Sequence, residues 1–197
     1  VKDSDAGVEA ARYLHDNVLD YAERLLGKLP PAVDRVMFSC TGSEANELAL
    51  RIARYCTGGR GIVVTDFAYH GNTQAIYEIS SEDAGEDERP PHVVTIKSPA
   101  VYRRDCDDPA ALAAASNDLD QALATLDERG IAPAAFVVDT IMSSDGVIVP
   151  PRGFLELAAD RIRAAGGLFV ADEVQQGNGR TGQHFWGFEA DGIVPDI

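Results

Sequence analysis

The sequence has few cysteines, one tryptophan and no long apolar run, and these shortages exclude several classes of protein. Its cysteines, Cys40, Cys56 and Cys106, are odd in number and contain no C-x-x-C pair, which argues against a disulfide framework or a structural zinc site. We therefore expect reduced thiols and a cytoplasmic protein. No apolar run approaches the length of a membrane span, and the first residues do not resemble a signal peptide.

Positive charge is also scarce, with 17 basic against 32 acidic residues and a formal net charge of -15. Nucleic acids and anionic membrane surfaces are bound through basic surfaces, so the charge balance argues against both as partners. A small anionic ligand is not excluded, because a local site can hold it against the overall charge. The length of 197 residues fits one domain with a sizeable core.

Apolar runs typical of strands alternate with segments of helical periodicity. The predicted strands cover residues 35–40, 61–66, 92–97, 134–140 and 167–174. The predicted helices cover residues 8–27, 44–55 and 153–165, with another marked by Leu119, Ala122, Leu123 and Leu126. The acidic stretch 81–91 is expected to be a solvated surface loop. This alternation predicts an α/β fold with a mainly parallel sheet, in which ligands bind at the carboxyl ends of the strands.

The first strand end to consider is the segment 41–46, which joins a predicted strand to a helix N-terminus through a glycine and two hydroxyl residues. Free backbone N–H groups and the helix dipole favour a phosphate at such a position, and Ser43 can add a hydroxyl donor. Helix capping explains the same residues equally well, so this turn alone is not specific.

The second strand end is the segment 67–72, which follows the strand 61–66 directly. Tyr69 could stack on a flat ligand, and Gly71 would let the backbone approach it closely. The alternative is a tyrosine packed in the core and a histidine, His70, that is hydrogen-bonded to a neighbour.

The third strand end carries Asp172, Glu173, Val174 and Gln175. Because side chains alternate along a strand, Asp172 and Val174 share one face and Glu173 points to the other. A buried carboxylate needs a cationic or donor partner, and a protonated pyridine nitrogen would be one. A metal site is the alternative, but the two carboxylates face opposite ways and no histidine lies nearby in sequence.

A phosphate cradle, a stacking aromatic and a carboxylate for a ring nitrogen are together what pyridoxal 5'-phosphate requires. A nucleotide-binding Rossmann domain is a competitor, because residues 177–182 match the spacing G-x-G-x-x-G. This segment follows a late strand, and its continuation does not resemble the start of a helix. We therefore interpret it as a flexible loop beside the site.

Three stretches identify a family resemblance: CTGSEANELALRIAR at 40–54, the YHG of residues 69–71, and LFVADEVQQGNGRTGQHFWGF at 168–188. RYLHDNVLDYAERL at 12–25 adds to it. The sequence resembles the class III (ornithine/GABA-type) aminotransferases, which have the type I fold of pyridoxal-phosphate enzymes. That resemblance implies a three-layer α/β/α architecture, and residues 1–197 would be part of the large cofactor-binding domain.

The resemblance also implies roles for individual residues. Gly42 and Ser43 would hold the phosphate, and Tyr69 would stack on the ring with His70 beside it. Asp172 would pair with the pyridine nitrogen, Val174 would pack on the opposite ring face, and Gln175 would reach the phenolic oxygen. The implied activity is the transfer of an amino group from a small-molecule amino donor to a 2-oxo acid. The family forms homodimers.

The sequence departs from the family pattern at residues 139–142, where Asp139-Thr140-Ile141-Met142 replaces Glu-Pro-x-Gln near the ring and substrate. The loops 143–154 and 184–197 are more similar to a subgroup with alanine–glyoxylate-type aminotransferases and amino-alcohol phosphate phospholyases. A phospholyase acting on a phosphorylated amino alcohol is therefore the alternative activity. A domain that binds the cofactor or another phosphate ligand without catalysis is a third possibility.

The Schiff-base lysine of the family has no counterpart among the three lysines of this sequence, Lys2, Lys28 and Lys97. In the family that lysine follows the segment matched by 194–197, and we expect Lys97 to be a surface residue. The absence of an initiator methionine adds to the expectation that the sequence is one piece of a longer chain. The N-terminal segment, the lysine strand and the C-terminal small domain would then lie outside it.

Overall fold

The computed structural model describes residues 16–82, 89–99 and 109–197. The described residues divide into two compact units, one within residues 1–38 and the other within residues 39–197. The described part of the first unit contains helix α1 (Asp16–Leu26), and the ring of Tyr21 stacks on that of Phe38 with centroids 5.5 Å apart. The predicted helix 8–27 is thereby confirmed over 16–26, whereas residues 8–15 lie outside the described ranges. Within those ranges no helix is long and apolar enough to cross a membrane.

The second unit is built on a four-stranded sheet in which every neighbouring pair is parallel and the order is β2-β1-β3-β4. These strands are β1 (Gly61–Thr65), β2 (Val93–Ile96), β3 (Pro133–Asp139) and β4 (Leu168–Asp172). Four of the five predicted strands are thus confirmed, each to within one or two residues. Asp196 and Ile197 add backbone hydrogen bonds along β4, with Asp196 N donating to Phe169 O at 2.9 Å.

Helices cover both faces of the sheet, so the fold is a three-layer α/β/α arrangement. Helix α2 (Gly42–Thr57) packs on β3 and β4. Helices α4 (Pro109–Glu128) and α5 (Phe154–Ala164) pack against each other and against the strands. The short helix α3 (Gln74–Tyr77) and the 3-10 helix η1 (Gly187–Asp191) complete the described helices.

Alternation along the strands divides the core into two layers. One layer joins α2 to the sheet and contains Val64, Ala135, Val137 and Val170. Phe136 and Phe169, which alternate with these residues, have ring centroids 5.9 Å apart, and Phe136 also meets Phe154 of α5 at 6.4 Å. Since Asp139 and Asp172 are two residues beyond Val137 and Val170, they extend the α2 layer at the carboxyl edge.

One predicted strand is absent, and the predicted solvated loop 81–91 begins with a buried residue although Glu82 and Pro91 are exposed. Residues 35–40 do not form a strand, because a strand requires a backbone partner and this segment has no ladder hydrogen bonds to the described residues. Met37 and Phe38 remain 68% and 48% exposed. The stretch 81–91, expected to be a solvated loop, begins with buried Ser81, whose hydroxyl accepts from Ala68 N at 3.1 Å and donates to Thr65 O. Residues 83–88 of that stretch lie outside the described ranges.

Candidate active site

The seven residues predicted to bind a cofactor line one cavity at the carboxyl edge of the sheet. This cavity has a volume of about 170 Å³. Its lining consists of Gly42, Ser43, Tyr69, His70, Gly71, Asp139, Asp172, Val174 and Gln175. Residues that are far apart in sequence meet there because the ends of parallel strands lie side by side.

The N-terminus of α2 forms one wall of the cavity. Thr41 is the N-cap, and its hydroxyl accepts from Glu44 N at 3.1 Å, while the Glu44 carboxylate accepts from Cys40 N at 2.7 Å. Capping and ligand binding therefore do not compete for one residue: Thr41 caps the helix, and Gly42 and Ser43 line the cavity. The first N–H groups of a helix have no acceptor within the helix, which favours an anion at this wall.

The loop after β1 is held against this wall by a close backbone contact. Ser43 Oγ accepts from Asn72 N at 3.1 Å, and it lies where a side chain on Gly71 would be. A Cβ atom on Gly71 would be 2.4 Å from Ser43 Oγ, and the φ of +133° at this residue suits only glycine. Tyr69 is 44% exposed and faces the cavity, so it is not a core residue.

Asp172, at the end of β4, is 7% exposed and is held by three donors. Its Oδ2 accepts from His70 Nδ1 and from Asn46 Nδ2, both at 2.8 Å, and its Oδ1 accepts from Val174 N at 3.1 Å. Burial alone would raise the pKa of Asp172, but the hydrogen bond and charge of His70, followed by the Val174 and Asn46 bonds, lower it below the ordinary value. The carboxylate is thus kept anionic inside the fold.

Asn46 is the residue of the site that the sequence analysis did not single out. It is 8% exposed, and its Nδ2 donates to Asp172 Oδ2 and to the carbonyl oxygen of His70, both at 2.8 Å. The available signal was a polar residue in line with Ala49 and Ala53, three and seven positions later on the buried face of α2.

Asp139 lines the cavity, but its carboxylate is engaged by its own turn. Oδ1 accepts from Ile141 N at 3.0 Å, and Oδ2 accepts from Ser143 N at 3.0 Å and from the Ser143 hydroxyl. The following residue, Ser144, accepts from Tyr69 N at 3.1 Å. The turn that begins at Asp139 thus leads directly to the residue that fixes the backbone of the tyrosine lining the cavity.

Glu173 points away from Asp172, as the alternation of a strand predicts. Its carboxylate accepts from Gly187 N at 2.7 Å, Phe188 N at 3.0 Å and the Thr140 hydroxyl at 3.2 Å. Burial raises the pKa of Glu173, and these hydrogen bonds only partly oppose the rise. Glu173 and Asp172 therefore cannot share one metal ion, and the described residues contain no cluster of three or more potential metal ligands.

The glycine-rich segment 177–182 is a series of turns and begins no helix. Gly179 N donates to Phe185 O at 2.9 Å, and Arg180 donates to Gly177 O at 2.9 Å. The nucleotide-binding interpretation of its glycine spacing is therefore wrong, because that site requires a helix N-terminus after the turn. Of the lysines, the structure describes Lys28 and Lys97, and both are exposed.

Residues 7–197 match the family "Aminotransferase class-III", and the chain belongs to that family. It is 36% identical to an alanine–glyoxylate aminotransferase 2-like protein of Drosophila melanogaster, over 94% of this chain and 39% of that protein. It is 33% identical to ethanolamine-phosphate phospho-lyase homolog 1 of Caenorhabditis elegans, over 94% of this chain and 43% of that protein.

Solved structures give the same result. A phospholyase from Arthrobacter in complex with phosphoethanolamine matches with a TM-score of 0.87 and 42% identity, over 93% of this chain and 44% of that one. A taurine:2-oxoglutarate aminotransferase from Bifidobacterium kashiwanohense, in complex with PLP and glutamate, matches with a TM-score of 0.80 and 28% identity. The match covers 93% of this chain and 43% of that one. The chain therefore spans less than half the length of these relatives.

Proposed function

We propose that the protein containing this chain is a pyridoxal 5'-phosphate-dependent aminotransferase that moves an amino group from an amino donor to a 2-oxo acid. The observation that carries the proposal is the single cavity that Gly42, Ser43, Tyr69, His70, Asp172, Val174 and Gln175 line together. Membership of the class III aminotransferase family supports the same cofactor and the same reaction class.

The chemistry of the cavity fits the cofactor at each of its parts. The helix N-terminus at Gly42 and Ser43 suits the phosphate. Tyr69 and Val174 offer an aromatic and an apolar surface for the two faces of the ring. The anionic Asp172 suits a protonated ring nitrogen, and the exposed amide of Gln175 can donate to the phenolic oxygen.

Bound pyridoxal phosphate supplies an electron sink that stabilises negative charge on the substrate carbon. Asp172 keeps the proton on the ring nitrogen, because its lowered pKa leaves it anionic at neutral pH. His70, buried beneath it, orients the carboxylate through Nδ1. Tyr69 would pack against the ring, with its backbone fixed by Ser144. Gly42 and Ser43 anchor the phosphate, so that binding energy remote from the reacting carbon orients the ring.

The test uses the full-length protein purified with excess pyridoxal phosphate. We expect the visible absorption band of the bound cofactor and amino transfer that depends on a 2-oxo acid. Asp172→Asn keeps the shape but removes the charge, and we expect it to weaken cofactor binding on the order of tenfold or more, as for a hydrogen bond to a charged group. Asp127→Asn, on the exposed surface of α4, is the matched control. Wild-type behaviour of Asp172→Asn, or no cofactor band in the wild type, would contradict the proposal.

A second candidate, elimination of phosphate from a phosphorylated amino alcohol, is supported by one comparison. The Arthrobacter structure, at 42% identity, is a phospholyase in complex with phosphoethanolamine. Both reactions use the same electron sink, so the cavity residues serve either. Phosphate release from phosphoethanolamine without a 2-oxo acid would identify the lyase, and amino transfer without phosphate release would exclude it. Cofactor binding with neither activity would indicate a binding domain.

We also propose that residues 1–197 are part of the large cofactor-binding domain of a cytoplasmic homodimer. We expect the cofactor-binding lysine to come from outside these residues, because the family resemblance places it after the segment 194–197 and because Lys97, in the same unit as the cavity, is exposed and does not line it. The two described cysteines, Cys40 and Cys56, are free, in keeping with a reducing compartment. Some relatives are named mitochondrial, such as alanine–glyoxylate aminotransferase 2 of Homo sapiens. Imaging of the tagged full-length protein and its mass in solution test the location and the dimer.

A further inference from the structure

We infer that Asn46 is a positioning residue that fixes the carboxylate of Asp172 and leaves one of its oxygens for the ring nitrogen of the cofactor. This inference rests on the proposed function. Its basis is the pair of 2.8 Å hydrogen bonds that Asn46 Nδ2 donates to Asp172 Oδ2 and to His70 O. A side-chain amide has two donor hydrogens, and these two acceptors use both of them.

The hydrogen bonds distribute unequally over the two oxygens of Asp172. Oδ2 receives two side-chain donors, Asn46 Nδ2 and His70 Nδ1, whereas Oδ1 receives the backbone N–H of Val174. An ionised carboxylate oxygen offers about two lone-pair sites. Oδ2 is therefore filled and Oδ1 keeps acceptor capacity, which assigns the ring N–H to Oδ1.

The same amide joins three parts of the cavity that come from separate parts of the chain. Asn46 is on the second turn of α2, His70 is in the loop after β1, and Asp172 ends β4. One side chain thus connects the N-terminal part of α2 with the loop that bears Tyr69 and with the carboxylate of Asp172. Loss of the amide would leave a buried carbonyl and a buried carboxylate each short of a donor.

A charged side chain at residue 46 would interact with Asp172 and with the ionisable groups around it. His70 contacts it from the loop after β1, and Asp139, at the end of β3, is its register partner. Glu173 turns to the other side of β4. A carboxylate placed at residue 46 would therefore face Asp172 directly, and two such groups about 3 Å apart cannot both be ionised.

The test compares Asn46→Ala and Asn46→Asp in the full-length protein, with Asn117→Asp on the exposed surface of α4 as the control. The measurement is the dissociation constant of pyridoxal phosphate as a function of pH, beside the thermal unfolding of each cofactor-free protein. We expect Asn46→Ala to weaken binding on the order of tenfold at every pH, the size of one net hydrogen bond. Asn46→Asp should bind well at low pH, where the carboxyl pair shares a proton, and progressively worse as pH rises. Asn117→Asp should follow the wild type.

The pH profile of Asn46→Asp separates positioning from general stability, because a loss of stability alone would shift its binding equally at all pH values. For Asn46→Ala the thermal unfolding of the cofactor-free protein makes the same separation. If Asn46→Asp parallels the wild type across pH, the inference is overturned, and this outcome decides even where Asn46→Ala fails to fold. If the wild type binds the cofactor and both variants bind equally well, the inference fails and the proposed function stands. If the wild type binds no cofactor, both fail.

Discussion

Asp172 and Glu173 are adjacent in sequence, yet their carboxylates lie on opposite sides of the end of β4 and their pKa values move in opposite directions. Asp172 meets His70 and Asn46, which lower its pKa despite burial. Glu173 meets backbone N–H groups of η1, and burial raises its pKa. One residue therefore supplies a permanent negative charge to the cavity, while the next fixes the segment that follows it.

Glu173→Ala should destabilise the protein, because it removes the hydrogen-bond acceptor of two backbone N–H groups. Gly187 N and Phe188 N would each lose their acceptor in a buried region, at a cost of about 1–3 kcal/mol for each group. The midpoint of thermal unfolding should fall by several degrees. Glu128→Ala, an exposed position at the end of α4, is the control and should change stability by no more than about 0.5 kcal/mol. Equal midpoints for the two variants would refute this role of Glu173.

Glu173→Gln should change how stability depends on pH. Because the folded pKa of Glu173 lies above its ordinary value of 4.5, the folded state holds a proton that the unfolded state has released. The contribution of Glu173 is therefore complete below about pH 4.5 and is lost as pH rises through the raised pKa. Unfolding midpoints measured across this range should decline more for the wild type than for Glu173→Gln. A constant difference between the two proteins would contradict the assignment.

Gly71→Ala should separate the loop after β1 from the N-terminus of α2. The new methyl group would lie 2.4 Å from Ser43 Oγ, in a backbone conformation that only glycine adopts readily. We expect a loss of more than about 2 kcal/mol in stability and weaker cofactor binding. Gly130→Ala is a matched control, since its φ is also positive, at +67°, but nothing lies within 4 Å of the added atom. Gly130→Ala should lower the free energy of unfolding by about 1–2 kcal/mol and leave cofactor binding unchanged.

His92→Gln should reduce the loss of stability in mild acid. Burial lowers the pKa of His92, Arg54 and Arg60 lower it further, and Glu78 opposes them. The unfolded state therefore takes up a proton first as pH falls below about 6.5, and the wild type loses stability there at up to about 1.4 kcal/mol per pH unit. Unfolding midpoints between pH 8 and 5 should fall less in His92→Gln and further in Glu78→Gln. Identical profiles for all three proteins would exclude His92 as the cause.

The sheet and its helices were predictable because a strand that is buried on both faces requires a continuous run of apolar residues, which is visible in the sequence. The run 134–140 has almost no polar alternation, and β3 is buried along nearly its whole length. The run 35–40 has the same strand-like composition but pairs with none of the described residues. Composition indicates that a backbone is extended, whereas a strand also needs a neighbour, which local sequence does not encode.

The cavity residues were predictable from their places at strand ends, but the contacts among them were not. The apolar residues at helical spacing in the predicted helix 44–55 are Ala45, Leu48, Ala49, Ile52 and Ala53. Only Ala49 and Ala53 of these are on the buried face, which also contains Asn46 and Leu50. Two adjacent helix faces carry similar apolar patterns, so periodicity alone does not choose between them. The choice depends on Asp172, 126 positions later, which accepts the hydrogen bond of Asn46.

The register of β3 on β4 pairs Asp139 with Asp172 and, three residues earlier, Phe136 with Phe169. Both pairs depend on one alignment, because side chains alternate faces along each strand. A slip of one residue would turn a carboxylate toward the phenylalanine layer and a phenylalanine toward the cavity. Insertions or deletions inside these strands should therefore abolish folding and ligand binding together, whereas length changes in the connecting loops can alter one without the other. A library of single-residue insertions can be scored separately for soluble yield and for bound cofactor. Insertions inside the strands should lower both quantities together, whereas insertions in the loops can lower one and leave the other unchanged.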